Sequence, residues 1–196
     1  MTVDSVSTFL AVSSLLIGAG VLALTLIWMA AAYSERARRG VDAVVASVGD
    51  QGLRLAWLMA AVATMGSLYY SQVAHFVPCE LCWYQRIAMY PLVVVLGIAA
   101  FRGDRAIRRY VLPIAVVGGL ISSYHYLIQR YPDLSAGTCS AGVPCTAAYV
   151  WKFDAVSIPF MALVSFGVIV ATLALDRRHE RDQTAHSPVE TLEEMR

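Results

Sequence analysis

The sequence predicts an all-α integral membrane protein: a four-helix transmembrane bundle preceded by one additional N-terminal transmembrane helix. Three observations predict it. The 196 residues are 58% apolar and 15% charged, against ~45–50% apolar and ~25% charged in a soluble domain. The apolar residues gather in five long runs, each near the ~20 residues that a helix needs to cross ~30 Å of hydrocarbon. No period-2 alternation recurs along the chain, which argues against a β-barrel. A mean hydropathy of +0.61 excludes an ordinary soluble enzyme and a disordered chain. A net charge of +1 gives no broad basic surface for nucleic acid.

The five runs cover residues 9–33, 55–77, 83–101, 110–128 and 156–175. The first could be a signal peptide, but Asp4 precedes its core and the positive cluster follows it, so it reads as a retained span. The chain divides accordingly: residues 1–34 form an N-terminal transmembrane helix, 35–54 a cytoplasmic linker, 55–176 a four-helix domain, and 177–196 a polar tail expected to be disordered. Within the linker, Val41, Val44, Val45 and Val48 follow i, i+3, i+4, i+7 spacing. A short amphipathic surface helix and a plain connector both fit that pattern. Pro91, Pro113 and Pro159 fall within spans, and Gly118-Gly119 interrupts the fourth. Membrane helices tolerate such residues because neighbouring groups satisfy the freed backbone.

Direction follows from the arginines. Arg36, Arg38, Arg39 and Arg54 lie between the first two runs, Arg102, Arg105, Arg108 and Arg109 between the third and fourth, and Arg177, Arg178 and Arg181 after the fifth. Alternating spans put all three segments on one side. The other side holds the N-terminus, the 78–82 turn and the 129–155 loop, which has only Arg130 and Lys152 as cations. The positive-inside rule therefore predicts a multi-pass plasma-membrane protein with its N-terminus outside and its C-terminus in the cytoplasm.

All four cysteines then fall outside, where disulfides persist. Cys79 and Cys82 form C-E-L-C at the mouth of the third span; Cys139 and Cys145 form a C-x₅-C pair in the long loop. Two structural staples are one reading. A C-x-x-C ring is short and easily reduced, which suits exchange better than bracing. A zinc site wants two C-x₂₋₄-C pairs, and haem attachment wants a histidine where Trp83 stands, so no metal is expected.

Thiol–disulfide exchange is carried by the thiolate, which a helix N-terminus favours. Cys82 directly precedes the third span, and Arg86 lies one turn later on the same face. That cation suits a Cys82 thiolate or a reduced, negatively charged acceptor; a snorkelling interface arginine is the alternative. His125 and Gln129 are an i, i+4 pair near the outer end of the fourth span. They suit hydrogen bonds to a flat head group or, equally, bonds between helices. His75 stands at the outer end of the second span and reads equally as an interface residue.

The run Pro78-Cys79-Glu80-Leu81-Cys82-Trp83-Tyr84-Gln85-Arg86 resembles the C-x-L-C-x-Y-x-R signature of the DsbB family of disulfide bond formation proteins. The resemblance continues through His125, Gln129, Cys139 and the 151–159 junction, and covers roughly residues 55–175. It implies a four-helix redox domain that reoxidises a DsbA-like, thioredoxin-fold thiol oxidase and passes the electrons to ubiquinone or menaquinone. Carried over by position, Cys139 would meet the partner, Cys145 would exchange with Cys79, and Cys82 would face the quinone. Arg86, His125 and Gln129 would line the quinone pocket. Two features depart from the larger Gram-negative pattern. The loop cysteines are close together, as in shorter Gram-positive-type relatives, and the first span is extra. Vitamin K epoxide reductase relatives also couple cysteine pairs to quinone, but place the shuttle pair before the C-x-x-C. A non-catalytic membrane scaffold with two disulfides is the alternative of a different class.

Overall fold

The structure is a computed structural model that describes residues 2–135, 139 and 142–194, with side chains as far as Thr184. Among the described residues six α-helices follow in order: α1 (Val3–Ala30), α2 (Glu35–Val48), α3 (Gly52–Leu68), α4 (Glu80–Arg102), α5 (Arg108–Arg130) and α6 (Ile158–Glu194). Among the described residues, four segments are long and apolar enough to cross a membrane: Val3–Ala30, Glu80–Arg102, Arg105–Arg130 and Ile158–Thr184. The second expected span is shorter as α-helix. It runs 17 residues in α3 and then widens into a five-residue π-type turn, Tyr69–Val73. Such turns are frequent at functional sites.

α3, α4, α5 and α6 pack together around one apolar core. Leu92 and Leu96 of α4, Val111 and Ala115 of α5, and Phe166, Ile169 and Leu173 of α6 are buried in it. The outward faces carry exposed Phe9, Leu16, Met65, Ile87, Val94 and Leu120, the surface expected where lipid takes the place of water. Gly118 allows α5 and α6 their close approach. A Cβ there would stand 2.3 Å from Phe166 Cζ, and small residues bring membrane helices together in this way. Pro159 sits in the first turn of α6, where no backbone donor is lost.

The valine stripe of the linker does form a helix. Val41 and Val45 of α2 are buried with Ala31 and Leu175, against α1 and α6. The segment 177–196, expected to be disordered, instead continues α6 to Glu194. Charge pairing explains the part with described side chains. Arg108 pairs with buried Asp176 and with Glu180, Arg105 bridges Asp176 at 3.4 Å and Asp50 at 2.5 Å, and Arg178 reaches Asp42 at 2.6 Å. The tail's own alternating charges add an Arg178–Asp182 pair one turn apart. Sequence polarity alone does not reveal that α2, α5 and the turn before α5 offer partners to these groups.

Candidate redox site

The C-E-L-C segment begins α4. Pro78 lacks a donor, and Cys79 takes extended backbone (φ −75°, ψ 174°) as N-cap; the Trp83 N–H donates to the Cys79 carbonyl at 3.1 Å to close the first turn. The i, i+3 spacing brings the two sulfurs to one face, 2.9 Å apart, both as free thiols. Cys79 is buried and Cys82 half-buried. The Cys79 thiol is held below the usual thiol range. The hydrogen bond from Cys82 is the main cause, burial opposes it, and the hydrogen bond and field of His125 assist. The spacing argument favours a Cys82 thiolate. The structure brings the His125 imidazole to Cys79, 3.6 Å from its sulfur.

His125, buried on α5, connects the two cysteine pairs. Its Nε2 lies 3.1 Å from the Cys145 carbonyl and 3.6 Å from Cys79 Sγ. Its Nδ1 lies 3.1 Å from the side-chain amide nitrogen of buried Gln85. An amide nitrogen only donates, so Nδ1 accepts and Nε2 carries the hydrogen. One N–H is thereby aimed at a sulfur of one pair and at the backbone of the other.

Cys139 and Cys145 are joined as a disulfide, with Cα atoms 5.9 Å apart. Cys145 is buried, whereas Cys139 is half-buried and adopts φ 78°, a left-handed conformation uncommon for a residue with a side chain. Cys79, Leu81, Ile128 and Cys145 form one buried cluster, with Cys82 and Cys139 packed against it. Gln129 donates from Nε2 to the Ala147 carbonyl at 3.2 Å. His125 and Gln129 thus both grip the 145–147 backbone.

On the other side of Cys82 lies an apolar cavity of about 170 Å³. Cys82, Gln85 and Arg86 of α4 line it, with Met59 and Ser67 of α3 and Met161 and Phe166 of α6 among the other walls. Arg86 donates from Nε to Ser67 Oγ at 3.1 Å and from Nη2 to the Ser67 carbonyl at 3.2 Å, and its guanidinium stands 5.3 Å from the Trp83 ring centre. The Tyr90 hydroxyl donates to Ser67 Oγ at 3.1 Å. Tyr70, Phe76 and Tyr149 also line the cavity and stack in series, with ring centres 5.7 and 4.7 Å apart and planes 9° from parallel. Each such pair contributes about 0.5–1.5 kcal/mol beyond its burial.

The structure therefore gathers the four cysteines with His125 and Gln129, and sets Arg86 apart on the far side of Cys82. His125 and Gln129 border a smaller void with Cys79 and Cys82 rather than the large cavity. His75 is exposed beyond the π-type turn. Gln85, Ser67 and Tyr90 escaped the sequence reading. Gln85 stands beside Arg86 in the motif, but nothing in the sequence marks Ser67, whose role arises from α3 packing on α4. The Cys79, Cys82 and His125 donor atoms lie within 4.8 Å of one another, a set of soft ligands that the cysteine spacing alone did not disclose.

Over residues 50–175 the chain matches the family described as "Disulfide bond formation protein DsbB". It is 49% identical over 124 residues to "Disulfide bond formation protein C" of Bacillus subtilis, covering 63% of this chain and 90% of that relative. It is 50% identical over 118 residues to "Probable disulfide formation protein C 1" of Bacillus anthracis, covering 60% and 85%. It is 43% identical over 136 residues to a "Probable disulfide formation protein" of Coxiella burnetii, covering 66% and 92%. No solved structure matches.

Proposed function

The chain belongs to the DsbB family of disulfide bond formation proteins, and from that premise we propose that it reoxidises an extracytoplasmic thioredoxin-fold thiol oxidase of the DsbA type and delivers the electrons to ubiquinone or menaquinone. The observation that carries this reading is the gathering of both cysteine pairs in one buried cluster, with His125 between them.

The exchange balances with these residues alone. A partner dithiol reduces the Cys139–Cys145 disulfide and leaves as a disulfide. The Cys145 thiolate attacks Cys79 of an oxidised Cys79–Cys82 pair, forming a Cys79–Cys145 bond and expelling Cys82 as thiolate. The Cys139 thiolate then attacks Cys145 and releases Cys79. The outcome is a loop disulfide beside two free thiols, the arrangement present in this structure. The greater exposure of Cys139 supports its role as the partner-facing sulfur. His125 Nε2–H steadies the sulfur of Cys79 and the backbone of Cys145, the two residues that must meet.

The cavity fits a quinone by its apolar walls, its volume, its cation and its border on Cys82. When bound there, a quinone supplies a sink for two electrons and two protons as Cys79 and Cys82 close to a disulfide. Arg86, fixed by Ser67, would offer donors to a carbonyl oxygen, and Met59, Met161 and Phe166 would hold the ring and keep water out. His125 and Gln129 would act from the neighbouring void, holding the loop.

Sidedness follows from charge. Cys79 and Arg102 stand at opposite ends of the 23-residue α4, about 34 Å apart at 1.5 Å per residue. The arginine-rich end takes the cytoplasmic side by the positive-inside rule and the cysteines the outer side.

Purified protein reduced at all four cysteines is expected to consume two equivalents of ubiquinone-1 or menadione as two disulfides form, read from quinone absorbance and thiol count. Cys82→Ser is expected to consume none. Quinone that survives contact with reduced wild-type protein would remove the acceptor from this account.

A further inference from the structure

The family match covers residues 50–175, and α1 lies before it. We propose that α1 is a wall of the acceptor cavity, and that the small side chains on its inner face set the size of quinone ring the cavity admits. The inference rests on the quinone reading of that cavity.

Leu10, Ser13, Ser14 and Ile17 of α1 line the same cavity as Cys82 and Arg86. Leu10, Ser14 and Ile17 follow i, i+4, i+7 spacing, one face of a helix. The placement is held at several levels. Asp4 at the start of α1 pairs with Lys152 in the segment that leads into α6. Ala11 is fully buried, and buried Ser7 lies beside Tyr70 of the aromatic stack. A Cβ on Gly18 would stand 3.1 Å from Val164 of α6, and one on Gly167 3.8 Å from Val21. Small residues at these contacts let α1 settle against α6, as membrane helices do. An independent anchor in lipid would need neither the ion pair nor the close seat.

Chemistry also favours a wall. Arg86 is half-buried at the cavity, and a guanidinium facing hydrocarbon is costly. α1 covers the seam between α3 and α6 from the side, since its lining residues oppose those of both. The Ser14 hydroxyl donates to the Leu10 carbonyl at 2.8 Å, so it is satisfied within the helix and presents little bulk. Space for a ring then depends on position 14 staying small.

A photoreactive azidoquinone applied to the full chain, followed by peptide mass spectrometry, tests the placement. Labelling of the α1 segment around residues 10–17, together with α4, and suppressed by excess unlabelled ubiquinone-1, is the expected result. Competed labelling of α4 without α1 would overturn the inference while leaving the quinone reading intact. No competed labelling at all would overturn both. Equilibrium binding of ubiquinone-1 gives a second readout. Ser14→Phe is expected to weaken binding by about tenfold or more, and Leu16→Phe, on the exposed face of α1, to leave it unchanged. Formation of the Cys139–Cys145 disulfide in both variants serves as the check on folding. Equal affinity of Ser14→Phe and wild type would overturn the inference.

Discussion

Cys145→Ser is expected to accumulate a mixed disulfide between Cys139 and a thioredoxin-fold partner, at about tenfold or more above wild type on non-reducing gels. Once Cys139 is bonded to the partner, the thiol that would recover it is gone. In the native protein that thiol is buried, close to Cys79 and tied through its carbonyl to His125, whereas Cys139 is half-exposed. Mass spectrometry should place the bond on Cys139, and reductant should collapse the band. An impermeant maleimide added to intact cells beforehand should prevent the adduct if the loop takes the outer side, as the positive-inside rule predicts. An adduct on Cys145 in a Cys139→Ser variant, and none in Cys145→Ser, would reverse the order within the pair.

The second large effect belongs to Arg86. Arg86→Met is expected to raise the apparent Michaelis constant for quinone about 10- to 150-fold, the equivalent of the ~1.5–3 kcal/mol that a hydrogen bond to a charged group contributes. Arg86→Lys should fall between the two. An ammonium keeps the charge but cannot reproduce the planar fork that bonds both the hydroxyl and the carbonyl of Ser67. Exchange between Cys139 and the partner should stay near wild type, because Arg86 lies across Cys82 from the loop. Ser67→Ala should raise the Michaelis constant less, since it removes a brace and not the cation. Wild-type quinone kinetics in Arg86→Met would reduce Arg86 to a snorkelling interface residue, and the site would have to be rebuilt around His125 and Gln129.

Much of this was legible because hydropathy and spacing act locally. The five apolar runs correspond to α1, the α3 segment with its π-type turn, α4, α5 and α6, since ~20 apolar residues have few other solutions in a bilayer. C-E-L-C before an apolar run placed two sulfurs on one turn at a helix start, and the structure has them 2.9 Å apart. The unread features depend on which faces meet. An apolar helix in lipid has no polar stripe to declare its inner side, so Leu10 and Ser14 could not be assigned to a cavity from the pattern of α1. Arg86 and His125 share a depth by counting, yet the rotation of α4 and α5 puts Cys82 between them. The helical tail depends on Arg108 and Asp42, far away in sequence. The contact of Cys79 with His125 depends on the imidazole arriving from another helix with its Nδ1 occupied by Gln85.

The central claim is that electrons leave the loop pair through Cys79 and Cys82 to a membrane quinone. The most direct measurement is the redox state of the four cysteines in cells deprived of quinone, trapped by acid and alkylated with a mass-tagged maleimide. Cys79 and Cys82 are expected to accumulate as thiols when quinone is withdrawn and to return to a disulfide when it is restored. A Cys79–Cys82 pair that stays oxidised without quinone would contradict the account and leave two structural bridges in its place.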